Sequence, residues 1–378
     1  MIENVPFWMW IVGFLLVLGP LVTIHELGHY LVGRWFGVKA DAFSIGFGKE
    51  IAGWTDKRGT RWKLSALPLG GYVQFAGDMN PASQPDPEWL SLPEVERNRT
   101  FQAKPLWQRA LIVAAGPVTN LLLAVAIFAG FFMAYGKPVA ADPAKENIVA
   151  AFAEESAARE AGLRVGDRIA AIDGEPMANF RELQRTIILY PGKRVTLTVE
   201  RGDRMLSIPV TARPFEMKDR FGNVSKIGLI GIVAEPTVPV FQRVGPIEAI
   251  GLGIEESADT AAMMVTGIKQ IFTGVRSIDE LGGPIKIAKF SGEQLSLGPL
   301  AFVNFAALIS LNLAFINLLP IPALDGGHLA FYAAEAIRRK PASPRSQEWA
   351  FRTGLAFVLA LMLFVTINDI ASLPVFGG

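Results

Sequence analysis

The chain has 378 residues, 51% hydrophobic and 19% charged, with a formal net charge of +1. Near-neutrality without a concentrated basic patch gives no nucleic-acid partner, and the apolar share calls for a search for membrane spans before domains. Cysteine is absent, which excludes disulfides, thiol catalysis and thiolate metal sites, so any metal must be held by His, Asp, Glu, Asn or water.

The first apolar run covers roughly 7–33, and no charged residue occurs between Phe7 and Ile24. A helix needs about 20 such residues to cross about 30 Å of hydrocarbon. Met1–Pro6 carries no Lys or Arg and no small-residue cleavage site closes the run, so a retained span is expected rather than a signal peptide. The run ends in "HELGH" at 25–29, which holds two of the three histidines in the chain; the third is His328. Residues i and i+4 share a helix face, so His25 and His29 can direct two imidazole nitrogens at one ion. Glu26 then stands beside the ion, where it can take a proton from water, which is the H-E-x-x-H arrangement of two zinc ligands and a general base. An ionisable residue inside a span costs about 2.5–3.5 kcal/mol on insertion scales, so three together need a function.

The 35–107 loop is basic, with Lys39, Lys49, Lys57, Arg58, Arg61 and Lys63. Within it "GGYVQFAGD" at 70–78 reads as a short glycine-started β-segment. The second span, 108–135, contains "AAGPVTN" at 114–120. Asn120 has two readings there: an interhelical hydrogen bond, worth about 0.6–2 kcal/mol, or support of a substrate carbonyl or of unwound substrate backbone.

From Pro138 to Arg213 the composition is that of a soluble domain. "NIVAAF", "RVTLTVER" and "MLSIPVTAR" read as strands, "SAAREAGL" and "NFRELQRTIIL" as helices, and Asp173-Gly174 as a turn. The stretch "SAAREAGLRVGDRIAAIDGEPM" resembles the PDZ domains of bacterial proteases. That resemblance implies a groove that takes an extended peptide as an added strand, with Ile148, Val149, Ala150 and Ala151 as its edge. Residues 214–300 are expected to be a linker with amphipathic interfacial helices, because Glu255, Glu256 and Asp259 make 245–272 too polar to span.

The third span, 301–331, contains "NLLPIPALDGGH" at 317–328. Asp325 is an acid in an apolar segment among the helix breakers Pro320, Pro322, Gly326 and Gly327, and broken backbone is tolerated in a membrane only where protein or a water-filled cavity surrounds it. A catalytic zinc takes three protein ligands and one open position, and Asp325 is the candidate for the third. His328, three residues on, has a capping or packing role or one in supporting the site and stabilising an oxyanion. Asn317 has the same two readings as Asn120, and Asn304, Ser310 and Asn312 read as packing residues. The loop 332–350 is basic at Arg338, Arg339, Lys340 and Arg345, and a fourth span covers 351–373. Positive-inside reasoning puts both basic loops in the cytoplasm and 136–300 on the outer face.

"HELGH", "AAGPVTN" and "NLLPIPALDGGH" in this order resemble the site-2 protease family, and a single PDZ insert is similar to its bacterial regulator of sigma-E branch. The resemblance implies a polytopic α-helical membrane protein of about four spans, with an inserted α/β PDZ domain and a short membrane-associated β-segment. It implies one zinc ion on His25, His29 and Asp325, with Glu26 as general base. Gly71, Tyr72, Val73 and Gln74 would unwind a helical substrate by offering main-chain partners. The implied substrates are single-pass proteins of a bacterial inner membrane, such as anti-sigma factors and remnant signal peptides, with the PDZ unit as a filter that can also bind a peptide. Two histidines and a carboxylate also suit non-haem iron, and the H-E-x-x-H spacing favours zinc. A protease cutting juxtamembrane or soluble segments, and a PDZ scaffold with a structural metal, remain as alternatives.

Overall fold

The computed structural model describes residues 5–77, 91–140, 146–177, 179–218, 224–234, 239–274, 281–340 and 343–371. Asp78 of the expected β-segment and 372–373 of the fourth expected span lie outside the described residues, as do 141–145 and 178 of the PDZ-like stretch. The chain divides into two compact units, one formed by 5–129, 250–261 and 281–371, the other by 130–249 and 262–274.

In chain order the elements are α1 (Phe7–Trp35), β1 (Ala40–Thr55), β2 (Arg61–Phe75), α2 (Glu94–Arg97) and α3 (Leu106–Tyr135). The strands β3 (Lys137–Ala140) and β4 (Val149–Phe152) follow, then α4 (Ala157–Glu160), β5 (Arg168–Ile172), β6 (Glu175–Pro176) and α5 (Phe180–Ile188). Next come β7 (Arg194–Arg201), β8 (Arg204–Thr211), β9 (Arg213–Lys218), β10 (Val224–Leu229), β11 (Ile232–Ala234) and β12 (Pro239–Gln242). The chain closes with α6 (Pro246–Phe272), α7 (Pro284–Ser296), α8 (Pro299–Leu318), α9 (Asp325–Arg338) and α10 (Pro344–Ala371).

Among the described residues α1, α3, α8 and α10 are the helices long and apolar enough to cross a membrane. The expected third span, 301–331, is two helices: α8 stops at Leu318 and α9 starts afresh at Asp325. Pro320 and Pro322 lack the N–H that would continue the ladder, and Ala323 turns the chain with φ +84°. α10 starts at Pro344, a turn or more before the expected 351, and its first turns carry Arg345, Glu348 and Arg352. α1 and α7 cross at backbone contact: a Cβ on Gly13 would stand 2.7 Å from Ser291, and one on Gly292 would stand 2.9 Å from the Trp10 nitrogen. The N-terminus of α7 is capped from α10, since Gly283 and Lys286 donate their backbone N–H to the buried Asp369 carboxylate at 3.0 and 2.9 Å. A carboxylate there answers otherwise unpaired N–H groups and the positive end of the helix dipole.

The expected short β-segment is the last third of a long strand. β1 and β2 pair antiparallel, with Ile45 opposite Gly71 and Phe43 opposite Val73 in one stretch, and Glu50 opposite Ser65 in another. Phe43 also neighbours Trp62. The pair therefore folds back on itself, and the bend falls at Gly46 and Gly48, whose φ of +89° and +87° suit glycine. Val73 and Phe75 of β2 are buried with Phe43, with Tyr30 of α1 and with Ile112 and Val113 of α3. Burying each such side chain contributes about 1.5–3 kcal/mol, which fixes this sheet against the helix that carries "HELGH".

The other unit has a four-stranded sheet in the order β6-β5-β7-β8. Alternate apolar positions of β7 (Val195, Leu197, Val199) face Leu183 and Ile187 of α5 in one core. Asn179 caps α5, its Oδ1 accepting from the Glu182 N–H at 3.0 Å. The segment from 214, expected to be a linker, instead carries strands as far as Gln242: β10 pairs with β9, β11 with β4, and β12 with β3. This changes the reading of the expected peptide groove. β11 lies along β4, with Val233 opposite Ala151, and Ile148 bridges Arg168 on the other side. The edge Ile148–Ala151 is thus filled by the chain's own strand, because 232–234 has the β-branched content to pair there.

Asp167 in this unit is 1% exposed and receives both Nε and Nη2 of Arg201, at 2.6 and 2.7 Å. Burial alone would raise its pKa, but the bonds from Arg201 and the Arg164 N–H outweigh that and hold it below the usual carboxylate range. A depressed folded-state pKa gives stability that is present above the ordinary carboxylate pKa and lost as pH falls through the folded value. Asp167→Asn is therefore expected to cost this unit about 2–3 kcal/mol at neutral pH and little at strongly acid pH. Hydrogen exchange of β5 and β7 at the two pH values would read the difference.

Candidate active site

Three side chains from two segments converge in the first unit. His25 and His29 lie one turn apart on α1, with their Nε2 atoms 3.2 Å from each other. Asp325, at the first position of α9, brings Oδ2 to 3.2 Å from His25 Nε2 and 3.6 Å from His29 Nε2. Donors about 2.0–2.1 Å from one ion at tetrahedral angles stand about 3.3 Å apart. The observed separations fit one such ion, and all three atoms lie within 4.8 Å of one another.

The surroundings favour that donor set. His29 Nδ1 donates to the Ile112 carbonyl at 2.9 Å, which leaves its Nε2 lone pair for a metal. His25 is 8% exposed, and its Nδ1 faces the Asn120 amide on α3, with Nδ2 at 3.4 Å. Asn120 is wholly buried and its Oδ1 has no partner. Turning this amide by half a revolution brings Oδ1 to the His25 Nδ1–H, the tautomer a metal-binding Nε2 requires. Asn120 thus stands against His25, a neighbour that its sequence position did not name. Ser310 of α8, expected as a packing residue, donates to the Asn120 carbonyl at 2.8 Å and ties α8 to this point.

Gly116 of α3 is a site residue that spacing alone did not single out. A Cβ there would fall on His29 Nε2 and stand 2.8 Å from His25 Cε1, so only glycine lets α3 lie across both rings. The signal was present within "AAGPVTN", but nothing local said what the glycine faces. Gly326 and Gly327 act similarly, since a Cβ on either would strike the backbone of 318–322, so the loop can fold over the start of α9. Asp325 thereby sits in the first turn of a helix, where the dipole favours a negative charge.

A cavity of about 530 Å³ unites these groups. Its walls include His25, Glu26, His29, Asp325, His328, Asn120 and Asn317, together with Gly71, Tyr72 and Val73 of β2. Gln74 is on the same strand opposite Ala42, but not among the lining residues. Glu26 interacts with the Val73 backbone amide, and a Cβ on Gly71 would stand 3.2 Å from Glu26 Cγ. Among the described residues no further strand pairs on the far side of 71–75. Ile148–Ala151 belong to the other unit and are not part of this cavity.

A profile of peptidase family M50 matches residues 13–361. A protein named a zinc metalloprotease in Agrobacterium fabrum is 47% identical over 367 residues, 96% of each chain. Its counterpart in Rhizobium meliloti is 46% identical over 360 residues, covering 94% of this chain and 95% of the relative. The metalloprotease MmpA of Caulobacter vibrioides is 35% identical over 396 residues, 98% of each.

Proposed function

The chain belongs to peptidase family M50 and is a membrane-embedded metallopeptidase, and from that premise we propose that it cuts single-pass membrane proteins within their apolar segments. The observation that carries the reading is that three metal-donor atoms, Glu26 and an unpaired strand edge share one cavity in the helical unit.

His25, His29 and Asp325 hold a zinc ion in this reading. Zinc, when bound, supplies Lewis acidity that polarises a carbonyl and makes water acidic near neutral pH. Glu26 takes the proton of the attacking water and passes it to the leaving amine as the C–N bond breaks. Val73 orients Glu26 through its backbone, and Asn120 fixes His25. A transmembrane helix hides its amides in its own hydrogen bonds, so it must be unwound before attack. The 71–75 edge offers replacement main-chain partners beside Glu26, and Asn317 faces the same space. The basic loops support a cytoplasmic-side active site in a bacterial inner membrane, with the PDZ-like stretch 138–213 on the outer face. There the PDZ-like unit acts as a filter against bulky ectodomains, with anti-sigma factors and remnant signal peptides as fitting substrates.

Co-expression with a tagged single-span substrate lacking its ectodomain, followed by mass spectrometry of the products, tests this. A cut inside the apolar segment is expected. A cut only in flanking polar sequence would overturn the intramembrane reading in favour of a juxtamembrane protease. Asn120→Ala is expected to weaken zinc binding by about 10–100-fold, the usual cost of losing a group that orients a ligand, as read by chelator competition.

A further inference from the structure

In the proposed mechanism the three metal donors hold the ion and Glu26 carries the proton, and none of them donates an N–H to the carbonyl oxygen that gains charge as the scissile carbon becomes tetrahedral. His328 lines the same cavity, one turn beyond Asp325 on α9. Residues three apart share a helix face, so its ring is on the side of the helix that presents the Asp325 carboxylate. Its ring has no hydrogen-bond partner among the described residues, and it stands outside the trio whose donor atoms converge. The helix that carries it is held at its far end: Arg109 Nη2 meets Glu335 Oε1 at 2.9 Å, and the Arg109 guanidinium lies 5.1 Å from the Tyr332 ring centroid. A free imidazole on an anchored helix, facing the metal donors across a cavity, is a preorganised hydrogen-bond donor.

We infer that His328 is a catalytic residue of the proposed protease, donating a ring N–H to the developing oxyanion of the scissile peptide. It forms no bond to carbon and gives up no proton; the hydrogen bond strengthens as the carbonyl oxygen becomes negative and relaxes when the carbonyl re-forms. The inference rests on the protease reading above, so the test carries a control for each.

Purified full-length protein in detergent is assayed with a tagged single-span substrate as wild type, His328→Ala, His328→Gln and Glu26→Gln. Rates are taken over a range of substrate concentrations, alongside zinc per chain and thermal melting. For His328→Ala the expected result is a fall in kcat of about 10²–10³-fold, as for loss of an oxyanion donor, with KM and zinc content little changed. His328→Gln keeps an N–H of similar reach and is expected to melt like wild type and to recover part of kcat. Loss of zinc in a folded variant would make His328 a ligand and overturn the inference. So would an unchanged kcat, a change confined to KM, or a Gln variant that melts normally but recovers nothing. If Glu26→Gln is inactive while His328→Ala is fully active, this inference alone fails. If Glu26→Gln is also active, the protease reading fails with it.

Discussion

Glu26→Gln is expected to lower cleavage of a membrane-span substrate by about 10²–10⁴-fold, the usual contribution of a positioned general acid–base. It should leave zinc content and melting unchanged. The carboxylate lies beside the donor trio without belonging to it, so in the proposed mechanism its amide replaces the group that would accept a proton but not one that would hold a metal. The substitution is nearly isosteric and retains Cγ, the Glu26 atom that a Cβ on Gly71 would approach to 3.2 Å. An inactive variant with one zinc per chain assigns Glu26 to proton transfer. A variant with wild-type cleavage would mean that the cavity is not the site of hydrolysis.

Asp325→Ala should fail differently. Removing one of the three proposed ligands leaves two imidazoles, and the loss of zinc affinity is expected to exceed the about 10–100-fold that groups merely supporting a ligand cost. After equilibration with a chelator buffer that leaves wild type loaded, the variant should hold almost no zinc and cleave nothing. The helices should remain in place, because Asp325 contributes no side-chain cap beyond its favourable position in the first turn of α9. Metal analysis together with a melting curve checks both points. Retention of stoichiometric zinc would remove Asp325 from the ligand set and require another donor. The pair of variants thus separates a residue that holds the metal from one that works beside it.

Much of this site was legible in the sequence because its strongest signals are local. The i, i+4 spacing of His25 and His29 sets a shared helix face within a single turn, and an apolar run broken by an acid between prolines marks Asp325 without any tertiary knowledge. The strands of the second unit follow from period-two alternation, as in β7. The less local features came out only in three dimensions. The folding of β1 on β2 depends on pairing partners that alternation does not name, which is why 70–78 read as a short segment. The β4 edge read as open because its partner, Ile232–Ala234, comes more than 80 residues later by sequence number. Asn120 reaches His25 across 95 residues of chain, and Gly116 matters for the two rings it lies against. Local spacing determined which groups could bind a metal and move a proton. Only the packing of α3, β2 and α9 around α1 decided which atoms face one another, because hydrogen bonds and steric clearance depend on distances in space that separation along the chain does not encode.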